Sequence, residues 1–327
     1  MIFLPNSVGS EHSCGQALVS LDVWHQRLGH FSKKKINEMK RKKQVHGLVI
    51  NHPNTEINDT NNCAACCKAK MKRRNKTHGR RNPAKEAYER IHADLHFPSR
   101  VTGAFGIKCV LSLTDEYTRS TKLYFLNNKS QAMEKIINFK TMVDVQMKGT
   151  IREFQTDGGG EFSSNAFKSF LDTNGILLRT SNRDEPRQNG LSEKTGDIVI
   201  SSGMAMLKHS KCKESDWVYA VKNAEKVFNM MPKKCLDGRS PDEAMTGRKP
   251  DVSILRTFGC DALVRVSKER RAKGENKAQI VTFLYYKEGI KPGWTFRTKE
   301  TKRIISSGDA VFHEGVGYPK GSNPWTH

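Results

Sequence analysis

Long hydrophobic runs are missing from this sequence. No stretch of its 327 residues approaches the roughly 18–20 apolar residues that a membrane span requires. The opening Met1-Ile-Phe-Leu-Pro5 is too short for a signal peptide and lacks a basic start. The chain is therefore expected to be soluble and not secreted. Hydrophobic residues make up 36%, which allows packed cores but is low for a single large one, and the length suits about two domains on a prior of roughly 150 residues each. No internal repeat is visible. Acid is scarce: 34 Asp and Glu stand against 56 Lys and Arg, for a net charge of +22. An excess of that size exceeds what solubility needs and points to a polyanionic partner, above all nucleic acid. No amphipathic basic helix stands out, which argues against a membrane surface. The cysteines form no regular framework. Of eight, only those at 63–67 cluster, so without a secretory signal metal ligation and free thiols are expected rather than disulfides.

The chain divides by pattern. Residues 1–22 read as a poorly ordered leader and 23–75 as a small helical region bracketed by His and Cys. A basic linker, 76–87, follows a run of cations that includes Lys72, Arg73 and Arg74, which read as a DNA-binding arm. Residues 88–245 alternate strand and helix signals and imply a mixed α/β sheet with helices on both faces. Ser130 is a plausible N-cap for a helix to Gln146, and Gly175 a fitting stop after a helix at 164–174. Residues 250–316 read as short strands separated by Gly and Pro turns, a small β domain, and 317–327 as a tail.

Two constellations carry chemistry. His25 and His30, with Cys63 and Cys66, make a set of two imidazoles and two thiolates, the donor set of a closed structural zinc site. Such a site would hold together a region whose own core is too small. Cys67 offers an alternative register, and His12 and Cys14 are weaker competitors.

The second constellation is acidic. Alternation in Ile91-His-Ala-Asp-Leu-His-Phe97 puts Ile91, Ala93, Leu95 and Phe97 on one face and Asp94 with His92 and His96 on the other. Asp157 ends the apolar run from Ile151 and enters Gly158-Gly-Gly160, which permits a sharp turn and close ligand approach. Glu193 follows Asn189 by four residues on a helical pattern. Glu161 and Asp115 are rival carboxylates. Acids gathered by a fold stay ionised together around divalent cations, and such sites drive phosphoryl transfer.

These motifs together resemble the integrase of copia-type LTR retrotransposons. The resemblance rests on His25/His30 with Cys63/Cys66, on Asp94, on Asp157-Gly-Gly-Gly-Glu-Phe162 and on Gln188-Asn-Gly-Leu-Ser-Glu193. It extends through Gly238–Pro250, Leu255-Arg-Thr-Phe-Gly-Cys260 and Ser307–Glu314, and so covers nearly the whole chain. It implies a pre-integrase zinc domain, an RNase H-like catalytic core and a C-terminal DNA-binding β region, cut from a polyprotein between protease and reverse transcriptase. It implies Asp94, Asp157 and Glu193 as catalytic ligands of two Mg²⁺ or Mn²⁺ ions, one structural Zn²⁺, and Asn189 and Lys194 as contacts to DNA ends. The implied partners are double-stranded element and target DNA and further copies of the chain, in the nucleus after a cytoplasmic particle stage. The sequence departs from the family pattern at Gly158, at Lys194-Thr-Gly196 and at Leu284-Tyr-Tyr-Lys287. Gly196, inside a helix, carries a propensity cost of about 1 kcal/mol relative to Ala; together the departures leave the triad in place but suggest a decaying element of weak activity. An inactive DNA-binding descendant, and an RNase H-like transposase or nuclease, are the alternative readings.

Overall fold

The computed structural model describes residues 19–50, 63–66, 83–157, 159–180, 190–210, 212–266, 276–287 and 293–314; the side chains of 160, 161 and 190–193 are not described. No helix among them is long and apolar enough to cross a membrane. The expected leader and tail, and the arm residues Lys72, Arg73 and Arg74, lie almost or wholly outside this set, as do Cys67 and Asn189.

The N-terminal region supplies α1 (Leu21–Arg27) and α2 (Lys33–Arg41), so its first helix starts ahead of the expected boundary. Ser20 accepts from Val23 N and caps α1. The central region contains β1 (Arg90–His96), β2 (Cys109–Asp115), β3 (Thr121–Leu126), α3 (Ala132–Gln146), β4 (Glu153–Thr156), α4 (Gly160–Ser163), α5 (Asn165–Thr173), β5 (Leu177–Thr180), α6 (Gly190–His209), α7 (Trp217–Met230) and α8 (Pro241–Thr246). Its sheet runs β3-β2-β1-β4-β5. The first three strands are antiparallel, and β4 and β5 run parallel to β1. This is the mixed α/β sheet with helices on both faces that the sequence pattern leads one to expect. The expected Ser130 cap is corrected: Asn128 accepts from Ser130 N while Gln131 reaches back to Asn128 N, closing a capping box over a single turn of 3-10 helix before α3.

One face of this sheet packs α3 and α5, the latter through Phe167 and Leu171, over Ile91, Ala93, Leu111, Leu113 and Phe154. The other face meets α6 and α7. Phe97 breaks the expected apolar face. It lies past the strand end and is 67% exposed, while Ile91 and Ala93 are fully buried.

The C-terminal region forms a second, wholly antiparallel sheet of β6 (Asp261–Arg265), β7 (Ala278–Lys287), β8 (Gly293–Thr298), β9 (Ile304–Ser307) and β10 (Ala310–His313), ordered β10-β6-β7-β8-β9. β10 closes it through a segment that the strand pattern did not reveal. α7 joins the two sheets. None of its residues is exposed, and its polar side chains Asn223, Glu225 and Asn229 are spent on bonds to the two sheets. Toward the first sheet, Glu225 accepts from Leu123 N at 3.1 Å, and Asn229 pairs with both backbone groups of Thr121, covering the β3 edge. Toward the second, Asn223 donates to Leu284 O. Trp24, Leu28, Ile36 and Met39 from the N-terminal helices share one apolar cluster with α6, α7, Phe283 and Phe296.

Candidate functional site

Two sites emerge. At the first, α1 ends in Gly29 and His30, both left-handed with φ of 63° and 60°. His30 N donates to His25 O at 2.7 Å, and this tight reversal brings the His30 ring back beside that of His25. A positive φ at histidine is uncommon and marks a site where the fold overrides local preference. His25 Nδ1 lies 2.7 Å from Phe31 O, a backbone partner that orients the ring and leaves Nε2 facing inward. His25 Nε2, His30 Nδ1, Cys63 Sγ and Cys66 Sγ all lie within 4.8 Å of one another and can hold a metal ion. The close approaches are 3.1 Å between the two histidines, 3.2 Å from His30 Nδ1 to Cys63 Sγ and 3.4 Å from His25 Nε2 to Cys66 Sγ. Tetrahedral edges built on Zn–N of about 2.0 Å and Zn–S of about 2.3 Å run from about 3.3 to 3.8 Å, so donor types and spacing both suit zinc. The Cys66 register is the one assembled; its rivals Cys67, Cys14 and His12 lie outside the described residues.

At the second site, β1 and β4 pair in parallel with Ile91 opposite Phe154 and His92 opposite Gln155. Asp94 lies two residues beyond His92 within β1, and Asp157 two residues beyond Gln155, immediately after the last residue of β4. Asp94 is 8% exposed, and its Oδ1 accepts from Leu95 N at 2.8 Å. Asp157 is exposed and accepts from Gly159 N at 3.0 Å, which fixes the turn into the glycine run. Glu193 falls in the first turn of α6, which packs across β1 and β2. The backbone thus delivers three carboxylate-bearing residues from two neighbouring strand ends and the helix above them. Hard carboxylate oxygens match Mg²⁺ or Mn²⁺.

His92 and His96 share the face of Asp94, as alternation requires. His92 Nε2 lies 2.6 Å from Glu116 Oε2, and Arg90 bridges Glu116 and Glu153. Burial alone would raise the Glu116 carboxyl, but bonds from His92 and Ala84 N and the charges of His92 and Arg90 bring it down to about 2. His96 Nε2 lies 3.0 Å from Ser112 Oγ and 3.5 Å from Asp94 Oδ2. Burial pushes the His96 pKa down against the opposing pull of Asp197 and Asp157.

The rival Asp115 is buried and accepts from Tyr88 N, Thr118 N and Thr118 Oγ1, so it organises the β2–β3 turn. Glu161 lies in α4, with its side chain undescribed. Lys194 is exposed on α6, one residue beyond Glu193. Gly196 reverses an expectation. It is helical without positive φ, and a Cβ there would stand 2.1 Å from His96 Nε2. The helix needs glycine for close approach, so the residue is accounted for by packing. Sequence reasoning placed His96 on the correct face but gave it no role.

Family models match both ends of the chain: the GAG-pre-integrase domain over residues 1–71 and the retroviral polymerase SH3-like domain over residues 260–326. It is 25% identical over 304 residues to the retrovirus-related Pol polyprotein from transposon TNT 1-94 of Nicotiana tabacum, covering 93% of this chain and 22% of that protein. It is 28% identical over 263 residues to that from transposon RE2 of Arabidopsis thaliana, covering 80% and 17%. These relatives are copia-type Pol polyproteins from plant transposons, and the chain spans about a fifth of their length. Similar solved structures include the HTLV-2 integrase catalytic core domain in complex with magnesium, at 18% identity and TM-score 0.37, covering 48% of this chain and 96% of that one. A simian T-cell lymphotropic virus intasome matches at 11% identity and TM-score 0.39, covering 71% and 84%.

Proposed function

We propose that this chain is the integrase segment of a copia-type Pol polyprotein and joins element DNA to target DNA by polynucleotidyl transfer. The observation that supports the proposal is the parallel pairing of β1 with β4 through Ile91–Phe154 and His92–Gln155, which carried on to the end of β4 brings Asp94 level with Asp157, with Glu193 in the first turn of the helix packed on the same strands. These three residues would hold two Mg²⁺ or Mn²⁺ ions, which when bound supply Lewis-acid stabilisation of charge on the attacking and leaving oxygens. The protein's own contribution is positional. Asp94 is fixed by a buried strand, while exposed Asp157 beside a glycine turn leaves room for a phosphodiester. Buried His96 packs beside Asp94, its Nε2 3.5 Å from Asp94 Oδ2. Exposed Lys194 is suited to a phosphate contact at the DNA end, and Asn189 is assigned the same role from the sequence resemblance.

No side chain is required as a covalent nucleophile, since water or a DNA 3′-hydroxyl attacks directly. The charge of +22 supports binding to DNA phosphates, with affinity falling steeply as salt rises. His25, His30, Cys63 and Cys66 would hold one structural Zn²⁺. Joining two DNA ends to one target calls for more than one copy of the chain, acting in the nucleus after a cytoplasmic particle stage, with protease and reverse transcriptase as polyprotein neighbours.

The test is strand transfer on a labelled duplex matching the element ends, with Mg²⁺ or Mn²⁺, beside Asp157→Asn and Glu193→Gln. Joined products that vanish in both variants support the proposal. Salt-sensitive binding without joining in any of the three proteins would identify a binding-only descendant instead.

A further inference from the structure

We infer that His96 and Gly196 are a fitted pair that sets how closely α6 stands to β1, and so fixes the separation between the Glu193 backbone and Asp94. This inference rests on the metal-site reading of Asp94, Asp157 and Glu193. His96 is a positioning residue in it and binds neither metal nor DNA.

The packing is unusually close. A Cβ on Gly196 would meet His96 Nε2 at 2.1 Å, Cε1 at 2.4 Å and Cδ2 at 3.0 Å. Three atoms of one rigid ring therefore crowd a single missing methyl group. The ring cannot easily swing aside: it is 9% exposed and its Nε2 is tied to Ser112 Oγ on β2. It is flanked by Asp94 Oδ2 at 3.5 Å on the strand side and by Asp197 Oδ1 at 3.9 Å on the helix side. The contact is continued along α6 by Thr195 and Val199, both buried.

No backbone requirement explains the glycine. Gly196 is interior to a twenty-residue helix and lacks the positive φ that would demand it. Without a compensating gain, glycine there costs about 1 kcal/mol relative to Ala. The gain is proximity: α6 lies directly on an imidazole, with no side chain between.

Glu193 precedes Gly196 by three residues, so it falls on the same helical face, about 4.5 Å along the axis. His96 follows Asp94 by two residues, so those two share a strand face. The His96–Gly196 contact therefore lies between the elements that bear two of the three acids. A methyl group at 196 must lift the helix or tilt the ring by about an ångström or more, whereas Mg²⁺ holds its ligands at about 2.0–2.1 Å. Ligand sets of that kind do not absorb such a shift.

The experiment compares the full chain with Gly196→Ala, His96→Ala, the double variant and Asp157→Asn. Mn²⁺ affinity is measured by electron paramagnetic resonance, DNA affinity by fluorescence anisotropy, and thermal stability in chelator. Gly196→Ala is expected to weaken Mn²⁺ binding at least tenfold while DNA affinity stays within twofold. Removing the imidazole makes room for the methyl, so the double variant is expected to match His96→Ala within twofold. If Gly196→Ala proves unfolded, that second comparison alone decides. Wild-type Mn²⁺ affinity in Gly196→Ala overturns the inference, and so does a double variant worse than His96→Ala by tenfold. Asp157→Asn separates the layers. If it too binds Mn²⁺ normally, the metal-site reading fails. If it loses Mn²⁺ while Gly196→Ala does not, only the fitted pair fails.

Discussion

Arg27 and Glu314, 287 positions apart in sequence, form a two-pronged ion pair that ties α1 to the end of β10. Glu314 also accepts from Thr257 N at 2.6 Å, and the side chains are only 12% and 10% exposed. The two regions matched by family models are thus fastened directly together, beside α7. Because the pair is largely desolvated, removing one partner strands the other. Glu314→Gln is expected to lower unfolding free energy by about 3 kcal/mol, whereas Arg27→Met with Glu314→Leu recovers most of that loss. Urea unfolding of the three proteins measures both effects.

Zinc removal should act on stability first. The four donors close around one point and leave no position for substrate. Cys66→Ser is expected to reduce bound zinc from one per chain to well below half, by elemental analysis, and to lower the melting temperature. Cys67→Ser is expected to keep full zinc content. The opposite pattern would move the ligand register by one residue.

Asp115 and Asp157 both sit at strand ends facing loops, yet their substitutions should separate cleanly. Asp115 spends its oxygens on Tyr88 N, Thr118 N and Thr118 Oγ1. Asp115→Asn is expected to destabilise the fold by about 1–3 kcal/mol and leave Mn²⁺ affinity near wild type. Asp157→Asn is expected to leave stability unchanged in chelator and to abolish Mn²⁺ binding. Paired calorimetric and metal-binding titrations distinguish the two.

Acid should reveal the Glu116 cluster. Its folded carboxyl is depressed to about 2 from an ordinary 4.5. A depressed acid stabilises the fold fully above its ordinary pKa and loses that contribution as pH falls through the window from about 4.5 to 2. The contribution is on the order of 2–3 kcal/mol at neutral pH. Glu116→Gln is expected to flatten the wild-type decline in urea midpoint between pH 5 and about 2.5. An unchanged slope would remove Glu116 as a source of acid lability.

The sequence exposed what depends on short-range pattern. Alternation placed His92, Asp94 and His96 on one face, the glycine run marked Asp157 as a strand end, and His and Cys spacing marked the metal group. What it hid depends on contacts distant in the chain. Nothing local to Gly196 indicates that an imidazole one hundred residues earlier fills its missing side chain, so the residue looked like damage. Asn128 outcompeted Ser130 because a capping box needs Gln131 as well. α7 read as an ordinary helix because burial on two sides appears only when both sheets are present. Phe97 looked like core because alternation carries no information about where a strand stops.

The parallel register of β1 and β4 has an evolutionary consequence. The pairing of Ile91 with Phe154, not chain length, sets how β1 meets β4. The loops at 97–108 and 147–152 and the length of α3 can therefore change without shifting that pairing. Drift in length is therefore cheap here, whereas a slip of one residue in either strand would turn an acid away from its neighbour. Related chains should differ freely in the lengths of those segments and hardly at all in the pairing of the two strands.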